Sequence, residues 1–167
     1  MRHANRKDRH GFTTIELVCT IVILSVLATY ALPRVVDVSE DAYDAVVSGT
    51  AGAFSTSVFL ANLSCRISSW ANRDNLPGYA GNTVDFNTSC YPTDTSNANK
   101  IAGTAARCAR VWSAILSPAP TIQTGAAGNS EYRAFASGEN CRFRFLQDTT
   151  PVREIIYNAQ TGNVTPP

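Results

Sequence analysis

The sequence predicts an α+β fold: a long N-terminal helix packs its second half on a small antiparallel sheet, with an extra helix and disulfides. Three observations predict it. A 21-residue apolar run, Phe12 to Leu32, leads into residues with helical spacing; apolar and polar side chains alternate near the C-terminus; four of the five cysteines lie beyond the run.

The apolar run comes first. At about 1.5 Å rise per residue, a helix of that length spans roughly the 30 Å of bilayer hydrocarbon. Before it stands a basic leader, where Arg2, Arg6, Lys7 and Arg9 outweigh Asp8 to leave a net charge of +3. Such a cluster keeps the extreme N-terminus on the cytoplasmic side. A secretory signal peptide shares this layout but needs small residues at a cleavage site after the run. Thr29-Tyr30-Ala31, followed by Leu32-Pro33, serves that purpose poorly. A plain membrane anchor leaves Glu16 unexplained, the only formally charged side chain in the run. A carboxylate at that depth is costly unless a cation meets it, so it marks function. Gly11, with no Cβ, leaves the peptide bond ahead of Phe12 open to a protease. Cleavage there gives Phe12 an α-amine with a reference pKa of about 7.7–8.0, a cation able to pair with Glu16 within one chain or between neighbours.

Next comes the second half of the helix. Pro33 lacks the N–H that would bond the Thr29 carbonyl, so it ends or kinks the first half. Helical spacing resumes through Val36, Tyr43, Val47, Ala51, Phe54 and Val58, at steps of 7, 4, 4, 3 and 4. Asp37, Glu40, Asp41 and Asp44 fall in its first turns, where carboxylates suit the helix dipole. One helix is expected from Thr13 to about Asn62, bent near Pro33. Gly49 and Gly52 each weaken it by about 1 kcal/mol relative to alanine. They either permit close helix contact or are simply tolerated.

The remainder reads as loops, one helix and a few strands. Trp70 to Asn99 is rich in turn-forming residues, with Val84-Asp85-Phe86 as a short strand. Ile101, Ala105, Cys108, Trp112 and Ile115 step by 4, 3, 4 and 3, an amphipathic helix ended by Pro118 and Pro120 whose apolar stripe is core. Ser117 to Ser130 is a loop. Cys141, Phe143 and Phe145 then alternate with Arg142 and Arg144, a half-buried strand. Val152 to Tyr157, a turn from Asn158 to Gly162, and Val164 make a hairpin-like ending. Arg142 and Arg144 either meet the acidic patch of Asp37, Glu40, Asp41 and Asp44 on a neighbouring chain or are solvated.

Composition excludes several function classes. Removing the leader from a chain of net charge +1 leaves −2, with no basic block, so no nucleic acid partner is expected. Both histidines, His3 and His10, lie in the leader. Beyond it there is no imidazole for nucleophilic catalysis or metal ligation, so neither an enzyme nor a cofactor is expected. Asp85, Asp94 and their neighbouring asparagines match no calcium-loop spacing, and no metal site is assigned. Cys19, inside the apolar run, reads as a small hydrophobe. Cys65, Cys90, Cys108 and Cys141 show no zinc-type spacing and read as disulfides of an oxidising compartment. Three connectivities are open. The favoured one joins Cys65 to Cys90 and Cys108 to Cys141, each bridge contributing roughly 3–4 kcal/mol in the chain-entropy account.

Gly11-Phe12-Thr13-Thr14-Ile15-Glu16-Leu17-Val18 resembles the class III signal of type IV pilins and of their relatives, the type II secretion pseudopilins. The resemblance extends through Ala31 to Ser39, Asp41-Ala42, and Gly49-Thr50-Ala51-Gly52-Ala53. That last run is similar to the mannose-sensitive haemagglutinin branch of type IV pilins. These motifs cover about the first 55 residues. Beyond them the likeness rests on scattered features, such as Gly78-Tyr79 and Cys108 to Trp112. The resemblance implies a pilin-like fold in four parts: a cleaved leader (1–11), a transmembrane and filament-core helix (12–32), an amphipathic second half (33–62) and a globular head (63–167). It implies that prepilin peptidase cuts after Gly11 and methylates Phe12. It implies too that Glu16 and Pro33 serve assembly, with Glu16 setting register between subunits. The chain would then be held in the inner membrane by a single pass, with its head in the periplasm. Assembly machinery would extract it to join other pilins in a surface filament used for attachment. The alternative is a pseudopilin in a short periplasmic filament.

Overall fold

The computed structural model describes residues 11–99 and 104–167, and of residues 32–37 the backbone only. The chain divides into two compact units, one ending at Asp41 and one running from Ala42 to Pro167.

Helix α1 is Thr14–Ile67. In the first unit it carries Thr14–Ala31, long and apolar enough to cross a membrane and wholly unburied within the chain. Its few hydroxyls bond back to the helix: Thr20 to the Leu17 carbonyl at 2.8 Å, Ser25 to Val22 at 2.8 Å and Thr29 to Val26 at 2.7 Å. None of these three hydroxyls needs an outside partner, as a lipid environment requires. The bend expected at Pro33 falls among residues whose side chains lie outside the described set.

In the second unit α1 becomes one-sided. Val47, Ala51, Phe54, Val58, Ala61 and Cys65 are all buried, continuing the apolar stripe read from the sequence by two more steps. The helix therefore ends at Ile67, past the expected Asn62. Cys65 holds this extra turn through its disulfide to Cys90. The Asn62 amide also donates to the Cys90 carbonyl at 2.8 Å. Ser69 then turns left-handed, at φ 52°, and the Trp70 N–H closes the end on the Cys65 carbonyl at 2.9 Å.

Two short strands, β1 (Asp85–Phe86) and β2 (Pro92–Asp94), pair antiparallel. Helix α2 is Ala105–Ile115; Ile101, expected to start it, lies outside the described residues. A five-stranded sheet follows in sequence order: β3 (Ile122–Gln123), β4 (Tyr132–Ser137), β5 (Asn140–Phe145), β6 (Glu154–Asn158) and β7 (Val164–Thr165). It is antiparallel from β4 to β7, while the two-residue β3 joins the edge parallel to β4. Gly138, at φ 58°, takes the first place of the two-residue turn between β4 and β5. Gly162, at φ 73°, packs so closely on Tyr91 that a Cβ would enter its ring.

Alternation decides which sheet face is buried. Tyr132, Ala134, Phe143, Phe145, Ile155 and Tyr157 point into the core, and the intervening residues point away. Phe54 of α1 sits at the centre. Its ring lies 5.3 Å from Trp112 of α2, 5.3 Å from Phe143 of β5 and 5.5 Å from Tyr157 of β6. Two of the buried polar tips are matched: Trp112 Nε1 donates to the Pro120 carbonyl at 3.0 Å and the Tyr157 hydroxyl to Pro92 at 2.8 Å. The Cys108–Cys141 bridge ties α2 to β5 across the same core.

Phe54→Ala removes a side chain that is fully buried at this junction. We expect it to destabilise the second unit by about 3–5 kcal/mol. Thermal unfolding of the oxidised full chain, followed by near-ultraviolet circular dichroism, measures the loss.

Candidate functional site

The sequence-selected residues at the start of α1 form a local arrangement around Glu16. Thr13 caps the helix. The Glu16 carboxylate accepts the Thr13 N–H and the Thr13 hydroxyl, both at 2.8 Å, while the Glu16 N–H donates to Thr13 Oγ1 at 3.3 Å. This reciprocal pair is a capping box. Its signal, threonine followed three residues later by glutamate ahead of an apolar run, stands in the sequence, where Glu16 reads first as a charge awaiting a cation. Gly11 and Phe12 are exposed, Phe12 at 83%, so the peptide bond between them is accessible.

Around Glu16 the helix offers apolar surface. Ile15, Leu17, Val18, Ile21, Val22 and Leu24 are all exposed. Nothing lies within 4 Å of a Cβ built on Gly49 or Gly52, so no contact among the described residues requires glycine at either place. Cys19 is free and exposed. Of the other cysteines, the structure brings Cys65 to Cys90 and Cys108 to Cys141.

Several charged residues of the second unit find partners that the sequence did not reveal. Asp85 is buried, and its carboxylate accepts the N–H groups of Asn75 and Ala98, each at 3.0 Å. Asp94 is also buried. Arg110 grips it from Nε at 2.6 Å and from its terminal nitrogen at 3.0 Å, and Arg107 approaches to 3.2 Å. Ser96 and the Thr95 N–H complete its shell. Arg153, 2% exposed, pairs with Asp44 on α1 and with Asp148 at 2.8 Å.

Arg142 and Arg144 are held by a carboxylate on the next strand. Glu154 accepts Arg142 Nε at 2.9 Å and Arg144 Nε at 2.7 Å. The β5–β6 register sets Arg144 opposite Glu154. Of the acids expected to face these arginines from a neighbour, Asp44 is taken by Arg153 of its own chain; the Asp37 side chain lies outside the described residues.

The apolar helical segment and the disulfide-bonded unit together make an α+β fold of the pilin-like kind. Over 56 residues the chain is 39% identical to the type IV narrow pilus major component PilA5 of Thermus thermophilus. That stretch is 34% of this chain and 48% of that protein, so the chain spans about half the length of the curated relative it matches. No family model matches the sequence, and no solved structure does.

The Asp94 shell makes a pH prediction. Burial alone would raise its carboxyl, but the hydrogen bonds from Arg110, Ser96 and Thr95 outweigh burial and hold it below the ordinary aspartate value of 3.8. A carboxyl lower in the folded than in the unfolded chain stabilises fully above the unfolded value, and that stability is lost as pH falls through the folded one. The melting temperature should therefore drop as pH falls below about 4. Asp94→Asn should lower stability by about 1–3 kcal/mol at neutral pH and flatten part of the acid slope. Calorimetry of both chains across that range measures the difference.

Proposed function

We propose that this chain is a structural, non-enzymatic subunit of a type IV pilus, of the mannose-sensitive haemagglutinin kind. Prepilin peptidase removes residues 1–11 by cutting after Gly11, and Phe12 becomes the methylated N-terminus. The segment 12–32 anchors the chain in the inner membrane with the head in the periplasm, and later lies in the filament core. Residues 33–62 form the amphipathic second half of the helix before the head, 63–167, and Pro33 serves assembly. Assembly machinery draws the subunit out of the membrane to join other pilins in a surface filament used for attachment.

One observation carries this reading. A helix apolar on every side holds a single carboxylate next to an exposed Gly11–Phe12 bond, ahead of a unit whose core is complete without it. Such a helix needs lipid or copies of itself. In the bilayer its apolar faces meet lipid; in a bundle they meet like helices, and packing plus one amine–carboxylate pair supply the association. The partial likeness to a pilus component supports a subunit that assembles into a pilin filament. The matching of buried charges inside the second unit supports a structural role.

Glu16→Ala is expected to leave processing intact and to reduce filament incorporation severely, because it strands the Phe12 ammonium in hydrocarbon. Gly11→Ala is expected to block maturation. Mass spectrometry of the N-terminus and immunogold electron microscopy of sheared filaments read both. Filaments decorated as in the wild type by the Glu16→Ala chain would overturn the role given to Glu16.

A further inference from the structure

The sheet face turned away from the core carries an unbalanced charge. Register places Arg133 opposite Arg144 and Arg144 opposite Glu154 in one row, with Phe135, Arg142 and Ile156 in the next. Residues opposite one another in a sheet share a face, so these six side chains form one patch. Three guanidiniums stand there against one carboxylate. Glu154 gives one oxygen to Arg142 and the other to Arg144. Arg133 has no carboxylate against it among the described residues; its guanidinium lies over the Phe135 ring at 4.8 Å, and Arg144 lies over the same ring at 4.9 Å. Its Nε is buried without a hydrogen-bond acceptor. Two positive charges are in excess, on planar groups laid on an aromatic ring. Arginine held this way loses little freedom on meeting a carboxylate.

The same chain carries the matching deficit. Glu40 and Asp41 are exposed on α1, with no cation against either among the described residues. Asp44, one turn on, is already bound by Arg153 of its own chain. Two carboxylates without a cation among the described residues thus answer two excess guanidinium charges.

We infer that the Arg133–Phe135–Arg142–Arg144 face docks the Glu40–Asp41 step of a second copy of this chain. The two patches are different surfaces, so each copy gives one and receives one. A contact of that kind can link one copy to the next along a filament. The inference deepens the filament reading and rests on it for its setting, since assembly is what brings copies into register. Opposite charge there supplies orientation and salt dependence more than affinity.

The test uses the full chain in non-ionic detergent and follows self-association by sedimentation velocity. Association through the apolar helix is insensitive to salt, so salt and charge reversal isolate the inferred contact. Raising salt from about 20 mM to about 300 mM should weaken association about tenfold. Arg133→Glu should weaken it similarly, as should Glu40→Lys combined with Asp41→Lys. Mixing those two variants should restore association that neither shows alone. Arg133→Glu sets its new carboxylate beside Arg144, so the fold is kept, and an unchanged melting temperature verifies this. Charge reversals without effect, or a mixture no better than its components, would overturn the inference. Retention on heparin through these arginines by a chain that does not self-associate would also overturn it, in favour of a polyanion ligand. Filaments are read separately by immunogold. Salt-dependent association without filaments sinks the filament reading and spares the interface; filaments untouched by all the reversals do the opposite.

Discussion

The Phe54 ring is the point on which the second unit turns. It is the side chain that α1 sends between α2 and the two central strands, and each of its aromatic neighbours comes from a different element. The two disulfides bracket this junction. Cys65–Cys90 holds the end of α1 to the loop before β2, and Cys108–Cys141 holds α2 to β5. The aromatic junction supplies cohesion by burial, and the bridges restrict the unfolded chain. The buried core begins at Val47, and no described residue of the apolar segment contributes to it. Among the described residues the second unit therefore has its core without the apolar segment.

Electrostatics follow the same division. Deep charges are answered at home: Asp94 by Arg110 and Arg107, Arg153 by Asp44 and Asp148. Burying a charge without a partner is so unfavourable that these pairs have to exist wherever the fold encloses them. Surface charges face no such demand. Glu40, Asp41 and Arg133 remain unanswered by any described charge of the chain, and this distribution separates the surface available for association from the interior.

What the sequence revealed, and what it hid, follows from the range of each interaction. The stripe from Val47 to Val58 was legible because helical periodicity is local, and it predicted the buried face residue by residue. Strand β5 was legible because Phe143 and Phe145 alternate with arginines. Its partner β4 was not, since Ala134 and Ala136 give only a faint alternation, and pairing with β5 rather than propensity holds it in the sheet. The short strands β2 and β3 lay hidden among turn formers for the same reason. At the candidate site the glycine, phenylalanine and glutamate were legible as a spaced motif. The hold of Glu154 on Arg142 and Arg144 was not, because it depends on the register between two strands, and register is not written in either strand alone.

The first segment of α1 offers a neighbour very little polar information. Its hydroxyls at Thr20, Ser25 and Thr29 are occupied by carbonyls of the preceding turn, so along most of its length one helix face is chemically like another. Apolar packing alone gives only a weak preference for one register, because neighbouring side chains are alike in chemistry. In the filament proposed above, a lone carboxylate would remove that freedom. With Glu16 in hydrocarbon beside a terminal ammonium, any slip would separate the two charges in a medium of low dielectric, where separation is most unfavourable. Thr13 holds the carboxylate on the first turn, so the charge proposed to set register has a defined position within the chain. In that proposed bundle, a segment so uniform would take its register from this one residue.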